Sequence, residues 1–372
     1  MNTVIPVENE DVLKAVRGFL RSLMASGAVE ALFVPLEVSQ GFTQPALVTD
    51  ADRLELANPL AMVMPINNAR AVSALTGKHT PKPLGVVLRA CELRALIELV
   101  KLQQASLENV ITIGFDCLGT SKPADALMES NREGGNLGDY LAAAKQGESL
   151  PDSLPLRQTC QMCIQPEPHQ ADIHFHLFGV DPAKGLPVTI QDALASSLGL
   201  PAASVDRFSY QQAAEKWIAA HRSVREKELG AIRTRMASNA GFASLFATCI
   251  RCHNCMTACP ICYCKTCLFK TAAFDHEPEF YLKAAAHKGA VRMLDDTLLF
   301  HLTRLNHMGV SCVSCGMCSA ACPQDIPVGT IFTAIGEQVQ TAFDYAPGQN
   351  VGEGLPLVTF QVDEWTQVGE GK

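Results

Sequence analysis

Two runs of cysteine constrain this chain more than any other feature: Cys249-x2-Cys252-x2-Cys255-x3-Cys259-Pro260 and Cys312-x2-Cys315-x2-Cys318-x3-Cys322-Pro323. A cubane cluster needs four thiolates around a compact core. In a run of this spacing the first three wrap one cluster and the fourth reaches its neighbour. The spacing therefore predicts two [4Fe–4S] clusters, one on Cys249, Cys252, Cys255 and Cys322, the other on Cys312, Cys315, Cys318 and Cys259. Shared ligation forces the two close together, as an electron wire requires. Zinc also accepts Cys-x2-Cys pairs, but it gives no reason for two four-cysteine runs that each end in Cys-Pro. A non-redox zinc scaffold is thus the weakest reading.

The chain has 15 cysteines in 372 residues, and eleven lie between Cys249 and Cys322. Clustered cysteines in a reducing compartment point to metal rather than disulfides. Cys262, Cys264 and Cys267 follow the first run directly, in Pro260-Ile-Cys-Tyr-Cys-Lys-Thr-Cys. They could hold a fourth cluster or a zinc, with His253 or His276 completing the set, or could pack as inert thiols.

The remaining four cysteines lie in the first half. Leu84 to Leu88 reads as a buried strand, Cys91 to Leu102 has helical periodicity, and Val110 to Phe115 is a second β-rich run. Strand, helix and strand in this order make a βαβ unit with a right-handed crossover. Cys91 and Cys117 then follow parallel strands at one sheet edge, where open α/β sheets place ligands. With Cys160-x2-Cys163 they complete a four-thiolate set, and the spacing leaves a third [4Fe–4S] cluster as an open alternative.

Hydrophobic residues at 48% and charged residues at 18% describe a globular protein. The formal charge of −8, without a basic run, argues against a nucleic-acid partner. The polar, acidic stretch from Met1 to Asp11 lacks the features of a signal peptide. No stretch is long and apolar enough for a membrane span. The expectation is a cytoplasmic protein whose membrane link, if any, runs through a partner.

The predicted fold class is an α/β flavoprotein-like N-terminal domain over residues 1–238, followed by a mainly helical 2[4Fe–4S] ferredoxin-type domain over 239–345 and a tail over 346–372. Leu13, Val16, Phe19, Leu20 and Leu23 give an opening helix that stops near Gly27, and Ala31 to Val34 gives a strand. Residues 118–158 read as loop with a short helix near Tyr140. Residues 207–238 read as a solvated helix leading into the second domain. A helix over Val291 to His307 is expected to bury Met293, Leu294, Leu298, Leu302 and Leu305. His174 and His176 alternate as on a strand and read as ordinary histidines. No Ser-His-Asp set, P-loop or paired-carboxylate signature is legible.

Arg89-Ala-Cys91-Glu-Leu-Arg, Gly114-Phe-Asp-Cys117-Leu-Gly-Thr120, Cys160-Gln-Met-Cys163 with Ala171-Asp172, Cys259-Pro-Ile-Cys262-Tyr-Cys264-Lys-Thr-Cys267, and Ala321-Cys322-Pro-Gln-Asp325-Ile-Pro327 together resemble the beta subunits of coenzyme F420-dependent formate dehydrogenases and F420-reducing hydrogenases. The resemblance covers most of residues 84–347. It implies a third cluster on Cys91, Cys117, Cys160 and Cys163, beside an FAD that exchanges hydride with a deazaflavin. It also implies a catalytic formate-dehydrogenase-like alpha subunit as partner. The chain departs from the family in two places. Glu10-Asp11-Val12 stands where a glycine pair is usual before the first helix. Ile173-His174-Phe175-His176 stands where a glycine-rich segment is usual after Asp172. The expected function is an iron–sulfur electron-transfer subunit of a formate-dehydrogenase-like oxidoreductase, without a formate-oxidising centre of its own. The alternative is a flavin-free relay to a heterodisulfide-reductase-like complex.

Overall fold

The computed structural model describes residues 1–39, 42–77, 82–122, 137–150, 156–238 and 241–358. Much of the predicted 118–158 loop and the end of the tail lie outside these.

The chain begins with β1 (Asn2–Ile5), α1 (Val12–Ala25), β2 (Ala31–Ser39), β3 (Phe42–Val48) and α2 (Ala69–Thr76). The expected βαβ unit follows as β4 (Leu84–Arg89), α3 (Ala90–Lys101) and β5 (Val110–Phe115). After α4 (Leu137–Gln146) and the short α5 (Gln158–Gln161) come β6 (Ile173–Phe175), β7 (Leu186–Ile190), α6 (Asp192–Ser197) and α7 (Arg207–Ala237). The strands form one seven-stranded sheet in the order β1-β7-β6-β5-β4-β2-β3. β2, β4, β5 and β6 run parallel, and the outer strands pair antiparallel. An α/β fold for the first half is therefore observed, as a mixed sheet.

Local chemistry explains the central unit. The buried Glu92 carboxylate accepts from Arg89 N–H at 2.8 Å and from Asn68 N–H at 2.9 Å. It thereby caps α3 and ties the incoming loop to it. Strand alternation divides the core. Leu32, Val34 and Val87 join α1 residues Val16, Phe19, Leu20 and Leu23 on one face. Phe33, Val86 and Leu88 point to the other, where they meet Leu245, Phe246, Phe300 and Phe332 from the C-terminal half. The cysteine-rich half thus packs directly on the sheet.

That half carries α8 (Gly241–Leu245), α9 (Asn254–Thr257), α10 (Pro278–Lys288), α11 (Thr297–Met308), α12 (Met317–Ala320) and α13 (Val328–Ala342). Two sequence expectations need correction here. α11 buries Phe300, His301, Arg304, Leu305 and Met308, while Met293, Leu298 and Leu302 are exposed. Its inward face is built around a cation, which apolar periodicity does not register. α7 is not merely solvated. It buries Ala213, Ala214, Trp217, His221 and Leu229, and Arg225 and Arg233 reach Glu337 of α13 at 3.1 and 2.5 Å. Among the described residues no helix is long and apolar enough to cross a membrane.

Candidate metal centres

The two cysteine runs share one backbone conformation. Arg251 and His253 in the first, and Ser314 and Gly316 in the second, all have positive φ, between 56° and 71°. Each run then enters a single turn of helix, α9 or α12. The left-handed residues curl the chain so that successive thiols face a common centre. Arg251 N–H donates to Cys249 Sγ at 3.4 Å, and Ser314 N–H bears on Cys312 in the same way. Holding three non-glycine residues in this region costs on the order of 1 kcal/mol each, a cost retained where the geometry is needed.

The structure brings together Cys249, Cys252, Cys255 and Cys322, which line one small cavity. Burial pushes the Cys255 thiol up to about 11, with Cys249, Cys322 and Cys252 adding to the shift and Arg304 opposing it. Cys259, at the end of the first run, instead faces the second run. It pushes up Cys312, Cys315 and Cys318, in each case after burial itself. Cys252 is exposed and Cys255 buried, so the first set sits at the surface.

The four scattered cysteines also converge. Cys91 opens α3, Cys117 follows β5, and Cys160 and Cys163 flank the end of α5. Burial pushes the Cys91 thiol well up, and Cys315, Glu92 and Cys117 push it further. Cys163 is raised by burial, then by Cys160 and Cys117. Cys91 thus faces both its own set and Cys315. A second cavity of about 310 Å³ carries Cys163 and Cys312 on its wall. Gly316 is what permits this junction: its φ is +71°, and a Cβ there would overlap Thr159 Oγ1.

Sequence reasoning missed the cations. Arg304, 4% exposed, donates from Nη1 to Cys255 Sγ and from Nη2 to Cys255 O, both at 3.1 Å. Its guanidinium is held charged by Cys255, Cys259, Cys318 and Cys262, against burial. Arg157, also 4% exposed, donates to Cys160 Sγ at 3.6 Å and to Thr120 Oγ1. Arg89 Nη1 donates to Cys117 Sγ at 3.7 Å. Buried guanidiniums that face sulfur instead of carboxylate need negative charge nearby, which thiolate-ligated clusters provide. Arg89 and Arg157 stand two and three residues before a cysteine, so proximity in sequence could have suggested them. Arg304 carries no such signal.

The third group stays loose. Cys262 lies beside Cys259, Cys264 and Cys267, and burial pushes its thiol up to about 11; Cys264 is exposed. His253 packs on Phe300 and His276 on Phe280, with ring centroids 4.8 and 4.1 Å apart.

Sulfurs around tetrahedral zinc stand about 3.8 Å apart, from a Zn–S length of about 2.3 Å. Among the described residues, the group of three or more His, Cys, Asp or Glu ligand atoms lying within 4.8 Å of one another is Asp116, His174 and His176.

The FAD implied by the family meets a different environment. Asp11 caps α1 with its carboxylate, accepting from Lys14 N–H at 2.8 Å, and Glu8 stands beside it on Lys14. After Asp172 the chain continues as β6. His174 Nε2 lies 2.7 Å from Asp116 Oδ1, and His176 is held neutral, down to about 4, by burial and then by His174. At the two places where the resemblance implies glycine, carboxylates and imidazoles stand instead, and these do not fit a close backbone approach by FAD.

A sheet with thiol sets gathered at its carboxyl edge and a cysteine-rich half packed against it fits an iron–sulfur oxidoreductase subunit. The F420-dependent formate dehydrogenase subunit beta of Methanocaldococcus jannaschii is 27% identical over 389 aligned residues, covering 91% of this chain and 95% of its own. The F420-dependent formate dehydrogenase 1 subunit beta of Methanococcus maripaludis is 26% identical, covering 71% of this chain and 73% of its own. No family profile matches the chain. A chain of the F420-reducing [NiFe] hydrogenase complex from Methanosarcina barkeri overlays with a TM-score of 0.45 and 12% identity, over 62% of this chain and 92% of that chain, too loosely to carry argument. The resemblance to F420-dependent formate dehydrogenase beta subunits therefore holds along nearly the whole chain.

Proposed function

We propose that the chain is the iron–sulfur electron-transfer subunit of a formate-dehydrogenase-like complex, relaying electrons between a catalytic subunit and a second redox partner without a flavin of its own. The observation that carries this reading is the contact sequence of the thiol sets. Cys252 opens the first set to the surface, Arg304 bridges the first and second, and Cys91 with Arg157 bridges the second and the N-terminal set.

In this reading Cys249, Cys252, Cys255 and Cys322 hold one [4Fe–4S] cluster, Cys312, Cys315, Cys318 and Cys259 the second, and Cys91, Cys117, Cys160 and Cys163 the third. Such a cluster, when bound, takes up and releases one electron at a time. The chain's own residues do the rest. Backbone N–H groups and guanidiniums stabilise the thiolates, Phe246, Phe300 and Phe332 pack in the apolar core against which both sets lie, and shared ligation fixes their separation. Residues 1–238 and 239–345 act as the two functional units and 346–372 as a tail. Cys262, Cys264 and Cys267 have a single set of neighbours beside Cys259, and we assign them no ligand.

The absence of a glycine-lined approach at α1 and β6 favours the flavin-free form, with a heterodisulfide-reductase-like complex as one candidate acceptor. Acid-extractable flavin measured on anaerobically purified protein tests it. Flavin well below one per chain, with electron uptake from reduced catalytic subunit, supports the relay; one FAD per chain refutes the flavin-free form.

A further inference from the structure

We propose that Asp116, His174 and His176 form a binding site for a single divalent transition-metal ion, distinct from the thiol sets and opening on a cavity of about 720 Å³. The three ligand atoms lie within 4.8 Å of one another, at the carboxyl ends of β5 and β6. Two imidazoles and one carboxylate suit zinc or ferrous iron and leave coordination positions free.

Hydrogen bonding has prepared the donors. Thr189 Oγ1 donates to Asn2 Oδ1 at 2.9 Å, so its lone pair accepts from His176 Nε2–H at 2.8 Å. The proton on Nε2 leaves His176 Nδ1 as a bare lone pair, and that atom is buried without a hydrogen-bond partner. A second group holding the far nitrogen is the usual way a ligating histidine is oriented. Asp116, 1% exposed, is fixed likewise: Leu177 N–H donates to its Oδ2 at 2.8 Å and Tyr210 Oη to its Oδ1 at 3.2 Å. The 2.7 Å between His174 Nε2 and Asp116 Oδ1 has to open to about 3.3–3.6 Å to admit tetrahedral zinc, given Zn–N and Zn–O lengths of about 2.0–2.2 Å. The ion replaces the proton now shared between these two atoms, so binding releases one proton.

His176 also lines a cavity of about 720 Å³ between β1, β7 and the start of α7, with Lys145, Lys184 and Arg207 among its walls. A metal on the triad therefore stands at the edge of a space sized for a small molecule.

The test uses full-length protein purified anaerobically with its iron retained, given a slight excess of zinc and desalted. Zinc, iron and sulfide are counted per chain, and zinc K-edge absorption identifies the ligand shell. The expected result is one zinc with a nitrogen and oxygen shell at about 2.0–2.2 Å. His174→Ala and His176→Ala should lose it with iron and sulfide unchanged. Thr189→Val, which removes only the group holding His176, should weaken zinc binding about 10–100-fold, and decides the matter if the histidine variants misfold. No retained zinc, zinc only in a sulfur shell near 2.3 Å, or nitrogen-bound zinc surviving in His176→Ala would each overturn the proposal.

Discussion

Arg304 is the single charge best placed to set the potentials of the two ferredoxin-type clusters proposed above. Its Nη1 stands 3.1 Å from Cys255 Sγ, and its charge also acts on Cys259 and Cys318 of the neighbouring set. An electron added to either cluster is spread over the core, on the order of 6 Å from the guanidinium, and at an effective dielectric of about 20 their attraction is roughly 3 kcal/mol. With about 59 mV for each 1.4 kcal/mol in a one-electron couple, that corresponds to about 120 mV. Arg304→Met keeps most of the volume and removes the charge, so both potentials should fall by about 100 mV. Arg304→Lys retains the charge and should recover more than half of the shift. The assay is an anaerobic redox titration followed by electron paramagnetic resonance, on protein with wild-type iron content. Potentials within about 20 mV of wild type in Arg304→Met would show that the cation is screened and refute the electrostatic role given to it.

Other consequences are as direct. Cys259→Ser should impair the cluster on Cys312, Cys315 and Cys318 although it lies in the first run; unchanged iron and unchanged signals from both clusters would contradict the cross-ligation. Gly316→Ala, which drives a Cβ into Thr159 at positive φ, should cost about 3 kcal/mol and loosen the N-terminal thiol set, read as a lower Tm with iron lost on desalting. Tyr345→Phe removes the hydroxyl that donates to buried Glu98 at 2.5 Å and accepts from Lys101 at 2.9 Å, and should destabilise by about 1–3 kcal/mol in chemical denaturation. In chelator-treated protein His176 has its folded pKa depressed to about 4 from 6.5. The unfolded chain then binds the extra proton, so stability is full above pH 6.5 and declines toward pH 4, by up to about 3 kcal/mol. His176→Gln should flatten that acid limb.

The two cysteine runs were legible from their spacing, and the structure sets Cys322 beside the first run and turns Cys259 toward the second. The βαβ unit was legible because α3 and its flanking strands are long enough to show their periods, and it rightly gathered Cys91 and Cys117 at one edge. α11 was misread for a physical reason: a helix that lines a charged centre buries Arg304 and His301 and turns Leu298 and Leu302 outward. Hydrophobic periodicity finds apolar cores and is blind to a cation enclosed by sulfur. His174 lies on β6 and His176 just beyond its end, but nothing in the sequence tied them to Asp116, 58 residues before His174. Only the parallel pairing of β5 with β6 does so.

The most direct test of the relay is the iron and acid-labile sulfide content of anaerobically purified protein, with a reductive titration of electrons taken up per chain. The three-cluster account predicts about twelve irons and twelve sulfides, with about three one-electron reductions and no bound flavin. About eight irons, with Cys91→Ser leaving the count unchanged, would remove the N-terminal cluster and contradict a wire reaching from Cys252 to the carboxyl edge of the sheet.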